Sequence, residues 1–106
     1  MSLQEPTFFI LAALASGQAH GYRLLAAIEE LSEGRLRLRA GTLYGALDRL
    51  ERDGYIELEG VEPGSGPPRR SYRITAAGRQ LLEEEIARLE ANATLARAQL
   101  RHGWTT

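Results

Sequence analysis

The segment from Gly41 to Tyr55 combines an apolar edge with side chains that can contact nucleic acid. Three leucines recur at the four- and three-residue spacing of one helix face: Leu43, Leu47 and Leu50. The opposite face carries a hydroxyl, an aromatic ring and guanidinium groups, which can contact phosphates or guanine edges. They belong to Thr42, Tyr44, Arg49 and Arg52, with Gly45 among them. A plain amphipathic helix would give the same pattern, so both interpretations stay open for this segment alone.

A second group of cations lies at the end of a loop rich in glycine and proline. The segments 55–59 and 71–75 alternate apolar and polar residues, which predicts two strands. The residues between them, 60–70, contain three Gly and three Pro and end in Arg69 and Arg70. Such a loop predicts a β-hairpin with a basic tip. Arginines in such a tip can read a DNA groove, although a solvated loop is the alternative.

Composition limits the classes of function. The chain has 106 residues, 43% of them hydrophobic, which fits one small globular domain. It has no cysteine and two histidines, so a disulfide framework, a thiolate metal site and a cysteine nucleophile are excluded. No phosphate-binding glycine loop and no paired metal-ligand spacing is present. We therefore predict no catalytic residue, no metal, no cofactor and no enzymatic activity.

The net charge of −1 argues weakly against nucleic-acid binding, but its distribution is uneven. Residues 1–34 contain one Arg and four acidic residues, whereas residues 35–75 contain eight Arg and six acidic residues. Positive charge is thus concentrated around the proposed contact helix and hairpin. All 13 basic residues are Arg, which suits bidentate phosphate contacts, although a GC-rich coding bias explains that usage better.

The N-terminal part predicts two helices and a short strand. The first helix begins at Pro6 and ends at Ser16-Gly17. Its apolar run, Phe8 to Ala15, is too short to span a bilayer and follows no basic region, so we expect neither a membrane span nor a signal peptide. The second helix runs to about Leu31, with Leu24 or Leu25, Ile28 and Leu31 on its apolar edge. The alternating residues 35–39 predict a strand with Leu36 and Leu38 facing the core. His20 is expected to cap or pack rather than bind a metal.

The last predicted helix runs from Ala76 to about Arg101, with Thr75 as its N-cap. Apolar residues recur along it with heptad spacing, at Leu82, Ile86, Leu89, Ala93, Ala96 and Leu100. About 26 residues at 1.5 Å each give roughly 39 Å, which exceeds the body of a small domain. We therefore predict that this helix pairs with a copy of itself, with Phe8 of the first helix joining the interface.

These elements predict an α+β, mostly α fold: a winged helix-turn-helix in residues 1–75 and a long C-terminal dimerisation helix in residues 76–106. The chain resembles short PadR-family transcriptional regulators with a single C-terminal dimerisation helix. The resemblance covers about residues 5–100 and depends on the order of four motifs. They are His20-Gly21-Tyr22, Gly41-Thr42-Leu43-Tyr44, Leu47-x-x-Leu50-x-x-x-Gly54-Tyr55-Ile56 and Pro68-Arg69-Arg70-Ser71-Tyr72-Arg73-Ile74-Thr75-x-x-Gly78-Arg79.

The resemblance implies a cytoplasmic homodimer that binds double-stranded DNA at a palindromic operator, usually as a repressor, with a small-molecule effector as a further partner. The third helix would enter the major groove. The predicted β-hairpin would be the wing, and it would reach the flanking minor groove or the DNA backbone. By its motifs, the DNA contacts would be Tyr22, Thr42, Tyr44, Arg69 and Arg70. We add Arg49, and less directly Arg39 and Arg52, because of their position relative to the leucine edge of the third helix.

One departure from the family pattern concerns the start of the third helix. Many relatives have Ser-Pro before the Gly-Thr-Leu-Tyr motif and a Pro after it, where this chain has Arg39, Ala40 and Gly45. We therefore expect this helix to lack a side-chain cap, with Arg39 compensating at a phosphate. The alternative to an operator-binding regulator is a winged domain that binds another protein.

Overall fold

A computed structural model describes residues 3–17, 19–64, 66 and 69–105 of the chain. Along the chain the elements are α1 (Glu5–Ala15), β1 (Ala19–His20), α2 (Gly21–Leu31), α3 (Ala40–Arg52), β2 (Ile56–Glu62), β3 (Arg69–Ile74) and α4 (Ala76–Thr105). The three strands form an antiparallel sheet in the order β1-β3-β2. This is the predicted winged helix-turn-helix with a long last helix. Both strands of the hairpin are longer than predicted and extend further toward its tip.

The apolar faces of the four helices and the sheet form one core. Its buried residues are Ile10, Leu11, Leu14, Leu24, Ile28, Leu43, Ala46, Leu47, Leu50, Ile56, Tyr72, Ile74 and Leu82. The predicted apolar edge of α3 is therefore confirmed. Leu31 was expected on the core edge of α2, but it lies in the last turn of that helix and is exposed. Burying these side chains supplies the main free energy that positions the surface of α2, α3 and the hairpin.

The strand predicted for residues 35–39 is wrong. These residues form no strand because Ala19–His20 already pairs with the edge of β3 that β2 leaves open. Leu36 and Leu38 nevertheless pack against the core, as their alternation predicted. Arg37 and Arg35 are exposed, and they form ion pairs with Glu29 at 2.6 Å and with Glu5 at 3.5 Å.

Thr75 joins the sheet to the last helix. Its Oγ1 accepts a hydrogen bond from the Gly78 N–H at 3.1 Å, which confirms the predicted N-cap, and donates one to the Gly54 carbonyl at 2.7 Å. Gly78 is required here because a Cβ at this position would lie 2.1 Å from the Tyr55 carbonyl oxygen. From this anchored start α4 runs 30 residues, four more than predicted, and projects far beyond the core. The molecule is consequently elongated, measuring 66 × 27 × 20 Å.

Candidate nucleic-acid interface

The exposed face of α3 is formed by the side chains that the sequence pattern singled out. Thr42, Tyr44 and Arg49 are exposed, while the leucines of the opposite face are buried. The Arg49 guanidinium lies across Gly45, with Nη1 3.7 Å from the position that a Cβ would occupy. Arg39 is the N-cap of α3 and forms no side-chain cap hydrogen bond, as expected. The start of α3 therefore leaves backbone N–H groups without a side-chain partner, beside exposed hydroxyl and cationic groups.

Tyr44 both packs and remains partly accessible. Its ring lies against the first turn of α2, where a Cβ on Gly21 would be 2.8 Å from Cε1 and 3.0 Å from the hydroxyl oxygen. The side chain is nevertheless 40% exposed. Glycine at position 21 thus allows α2 and α3 to approach closely while a part of the Tyr44 ring faces solvent. This contact brings the two short motifs around Gly21 and Tyr44 together in the fold.

Tyr22 and Arg69 bring the start of α2 and the wing together. The Arg69 guanidinium carbon lies 5.0 Å from the centre of the Tyr22 ring, and its Nη1 donates a hydrogen bond of 3.4 Å to the Tyr22 hydroxyl. The neighbouring Arg23 guanidinium has the largest effect and lowers the pKa of the Tyr22 hydroxyl below its ordinary value; desolvation opposes this effect, and the charge of Arg69 adds to it. Both side chains are exposed. They form a cationic, hydroxyl-bearing surface next to α3.

Arg70 lies on the other side of the hairpin from Arg69 because successive residues of a strand face opposite sides of the sheet. It lies near the Tyr72 hydroxyl and lowers the pKa of that group, although burial has the larger effect and raises it. The acidic side chains that act on Tyr72 from α3 are Glu51 and Asp48. The sequence placed the two arginines together at the hairpin tip, whereas the structure separates their side chains onto two faces.

Three residues of this surface were not singled out for DNA binding by the sequence pattern. His20 stacks on Tyr22 with ring centres 5.7 Å apart, and its Nδ1 lies 3.0 Å from the Ser71 Oγ. Its Nε2 lies 3.7 Å from the Glu62 Oε2. His20 therefore packs, as expected, but its partners Ser71 and Glu62 were missed. They could not be found because β1 was not predicted, so nothing in the sequence aligned His20 with Ser71.

Ion pairs involve four arginines in the described parts of the chain, while Arg23, Arg52, Arg79, Arg97 and Arg101 form none, like the arginines of the candidate surface. Arg35, Arg37, Arg73 and Arg88 form ion pairs with Glu5, Glu29, Glu57 and Glu85. In contrast, within the described parts of the chain no carboxylate lies at ion-pair distance from the guanidinium groups of Arg39, Arg49, Arg69 or Arg70. The arginines singled out from the sequence thus keep their positive charge available to an anionic partner.

The predicted heptad seam of α4 divides into two parts. Leu82 is 7% exposed and belongs to the core of its own chain, so it stabilises the protomer instead of offering a surface to a partner. Further along, Ile86, Leu89 and Leu100 are 40%, 43% and 69% exposed, and Ala93 and Ala96 are exposed as well. Phe8 on α1 is half-buried and contacts the Phe9 ring edge-on.

The described residues contain no cluster of acidic, His or Cys side chains that could hold a metal ion. In the described part of the chain, no helix combines the length and the apolar character that crossing a membrane requires.

Comparison with known proteins gives a consistent result. Residues 10–84 match the model of the Transcriptional regulator PadR-like family. Transcriptional regulator Rv3488 of Mycobacterium tuberculosis is 42% identical over 81 residues, which cover 76% of this chain and 72% of that protein. A 37.1 kDa protein in a transposon of Streptomyces fradiae is 44% identical over 86 residues. That match covers 80% of this chain, but the chain spans only 23% of the Streptomyces protein's length.

A solved structure supports the fold. Bacillus subtilis PadR, crystallised in complex with operator DNA, superposes with a TM-score of 0.67 over 76% of this chain and 45% of that protein. The two chains are 22% identical, so this likeness is one of fold.

Proposed function

Because the chain belongs to the PadR-like family of transcriptional regulators and is therefore a DNA-binding regulator and not an enzyme, we propose that it acts in the cytoplasm as a homodimeric repressor on a palindromic operator. The observation that carries the proposal is the continuous exposed surface formed by α3, the start of α2 and the wing. Its arginines, Arg39, Arg49 and Arg69, lie outside ion-pair distance of the described carboxylates.

In this arrangement α3 enters the major groove and the wing contacts the adjacent backbone or minor groove. Thr42, Tyr44 and Arg49 lie on the exposed face of α3, where they reach base edges and nearby phosphates. Tyr22 and Arg69 present a hydroxyl and a guanidinium from one place, which suits a phosphate. Arg70 contacts the DNA from the other face of the hairpin.

The homodimer depends on the exposed apolar residues of α4. Ile86, Leu89, Ala93, Ala96 and Leu100 form a continuous seam of heptad spacing that the protomer leaves open to water. Pairing this seam with that of a second copy, with Phe8 at its edge, would bury it. Two copies related by a two-fold axis present two α3 helices, which requires an operator with two half-sites.

The proposal of an effector is supported by a cavity of about 290 Å³ between α1, α3 and α4. Its walls are mostly apolar and include Ala46, Leu50, Tyr55 and Leu81, with the charged residues Arg49 and Asp53 also in the lining. Such a site fits a small, largely apolar molecule with one polar group. An occupant would touch α3 directly, so a compound that binds here should change operator affinity in a titration of the protein–DNA complex.

The experiment that tests DNA binding measures the affinity of the purified chain for duplex DNA from its own promoter region. The measurement is made at two salt concentrations and with unrelated duplex as competitor. Tight binding that survives the competitor and weakens steeply with salt is the expected result, because phosphate contacts release counterions. Repression is then tested by placing the bound site upstream of a reporter gene and measuring transcription with and without the protein.

A winged domain used for protein contacts is the second candidate, favoured by the overall charge of −1. It predicts weak, equal binding to both duplexes.

A further inference from the structure

We propose that His20 is a positioning residue for DNA binding: through Ser71 and Glu62 it holds Tyr22 and Arg69 together as one preformed phosphate contact. These five residues are called the His20 cluster below. The inference rests on the proposed function, since it assigns a role within the DNA-binding surface. His20 itself contacts no DNA in this arrangement.

The first link is between His20 and β3. The His20 backbone pairs with that of Ser71 in the short β1–β3 ladder, and the side chains of the same two residues meet at 3.0 Å between Nδ1 and Oγ. Ser71 is 2% exposed, so its hydroxyl sits in a fixed, largely dry place. A side-chain bond added to a backbone pair fixes the imidazole relative to the strand that also carries Arg69.

The second link fixes the orientation of the ring. His20 Nε2 lies 3.7 Å from the Glu62 carboxylate on β2. A neutral imidazole has one N–H donor and one acceptor nitrogen. With the proton on Nε2, facing Glu62, the Nδ1 atom accepts the hydrogen bond from the Ser71 hydroxyl. Glu62 is also the residue paired in register with Arg69, so the two strands of the wing meet at the same imidazole.

The third link connects the fixed imidazole to the exposed side chains of Tyr22 and Arg69. The Tyr22 ring stacks on the imidazole at an interplanar angle of 16°, and the Arg69 guanidinium covers the Tyr22 ring. Arg69 and Ser71 lie two residues apart on β3 and therefore share a face of the sheet. One face of β3 thus contacts the junction of β1 and α2 twice, at His20 through Ser71 and at Tyr22 through Arg69.

The consequence is that two flexible, exposed groups are ordered before DNA arrives. A free arginine side chain loses rotamer freedom when it binds, and this loss weakens association. The stack restricts Arg69 in advance and keeps its guanidinium beside the Tyr22 hydroxyl. Removing His20 should therefore weaken DNA binding through Arg69, without removing any group that touches DNA.

A double-mutant cycle tests this dependence. His20→Ala and Ser71→Ala are each measured for DNA binding in the wild-type chain and in an Arg69→Ala background. Each should weaken binding about tenfold in the wild-type chain and less than about twofold in the Arg69→Ala background, because coupled residues are not additive. Arg101→Ala, which removes an exposed cation of α4 off the heptad seam, is the control and should change binding less than about twofold. Equal losses in both backgrounds would overturn the proposal.

A measurement on the free protein separates the inference from the proposed function. NMR resonances of the Tyr22 ring and the Arg69 side chain should shift in Ser71→Ala, a variant that keeps the stacking partners and should fold. Unchanged resonances would overturn the His20 cluster whatever the DNA result. Shifted resonances together with a wild-type chain that fails to bind duplex DNA would refute the proposed function and, with it, the role of His20 in DNA binding.

Discussion

The proposed DNA-binding surface and the seam of α4 differ in how far a single chain completes them. Around α2, α3 and the wing, exposed side chains are already held by neighbours, as Tyr44 is by Gly21 and Tyr22 is by Arg69. Beyond Leu82, in contrast, α4 presents aliphatic side chains that lie open on the protomer surface. The comparison indicates that polar recognition requires groups ordered within the protomer, whereas an association surface needs only apolar area and regular spacing.

The largest expected effect comes from placing charge on the seam. Ile86→Asp combined with Leu89→Asp should abolish dimer formation, because carboxylates buried between two helices have no partner and cost several kcal/mol. Sedimentation analysis of the purified variant should show monomers or unfolded chain, whereas the wild-type chain should sediment as a dimer.

Leu95→Asp provides a matched control for that variant. Leu95 is on the same helix and 66% exposed, but it lies off the heptad seam. The same substitution there should leave the dimer intact. If the seam variant remained a stable dimer, α4 would not be the interface. The seam could then no longer be contrasted, as an association surface, with the surface of α2, α3 and the wing.

The next effect concerns the wing. Arg69→Ala together with Arg70→Ala should weaken binding to all duplexes about 10- to 100-fold and reduce the steepness of the salt dependence by about two phosphate contacts. The loss should not depend on sequence, because phosphate contacts carry no base information. Titrations of operator and unrelated duplex over a series of salt concentrations measure both quantities. An unchanged salt slope would mean that the wing makes no contact with DNA phosphates.

Substitutions on α3 should instead change sequence preference. Thr42→Ala or Arg49→Ala should cost about 1–3 kcal/mol at the base pairs that each residue reads and should relax the preference there. Binding to a set of operators altered at single positions identifies those base pairs. A uniform loss of affinity across all sequences would mean that these side chains contact the DNA backbone. A variant that binds every duplex as tightly as the wild-type chain would exclude the side chain from the interface.

The sequence predicted the elements whose signals are local. The helix of Leu43, Leu47 and Leu50, the hairpin and the Thr75 cap all follow from spacing within one segment. Contacts between distant segments could not be predicted in the same way. The two-residue strand Ala19–His20 has no periodicity of its own and forms only because β3 offers an open edge. For the same reason the residues 35–39 alternate like a strand and remain unpaired, and the partners of His20 were missed.

Glu85 gives the smallest expected effect, at the boundary between the two regions. Its carboxylate is 3% exposed and accepts hydrogen bonds from the Leu3 N–H at 3.0 Å and from Arg88 at 2.7 and 2.8 Å. The hydrogen bonds from Arg88, the largest cause, lower the pKa of Glu85 to about 2 despite the opposing effect of desolvation. Since this folded-state pKa lies below the unfolded value, Glu85 stabilises the fold at neutral pH. This contribution should disappear as the pH falls from about 4.5 to about 2.

Glu85→Gln isolates that contribution because the glutamine amide does not ionise over this pH range. The wild-type chain should be the more stable of the two at pH 7, and the difference should shrink toward pH 2 in denaturant unfolding experiments at a series of pH values. Because Glu85 ties the start of the chain to α4 one residue before the seam begins, the variant should also weaken the dimer slightly while leaving the salt slope of DNA binding unchanged. A constant stability difference at all pH values would mean that the pKa of Glu85 is the same in the folded and the unfolded chain, and the hydrogen bonds from Arg88 would then add no pH-dependent stability.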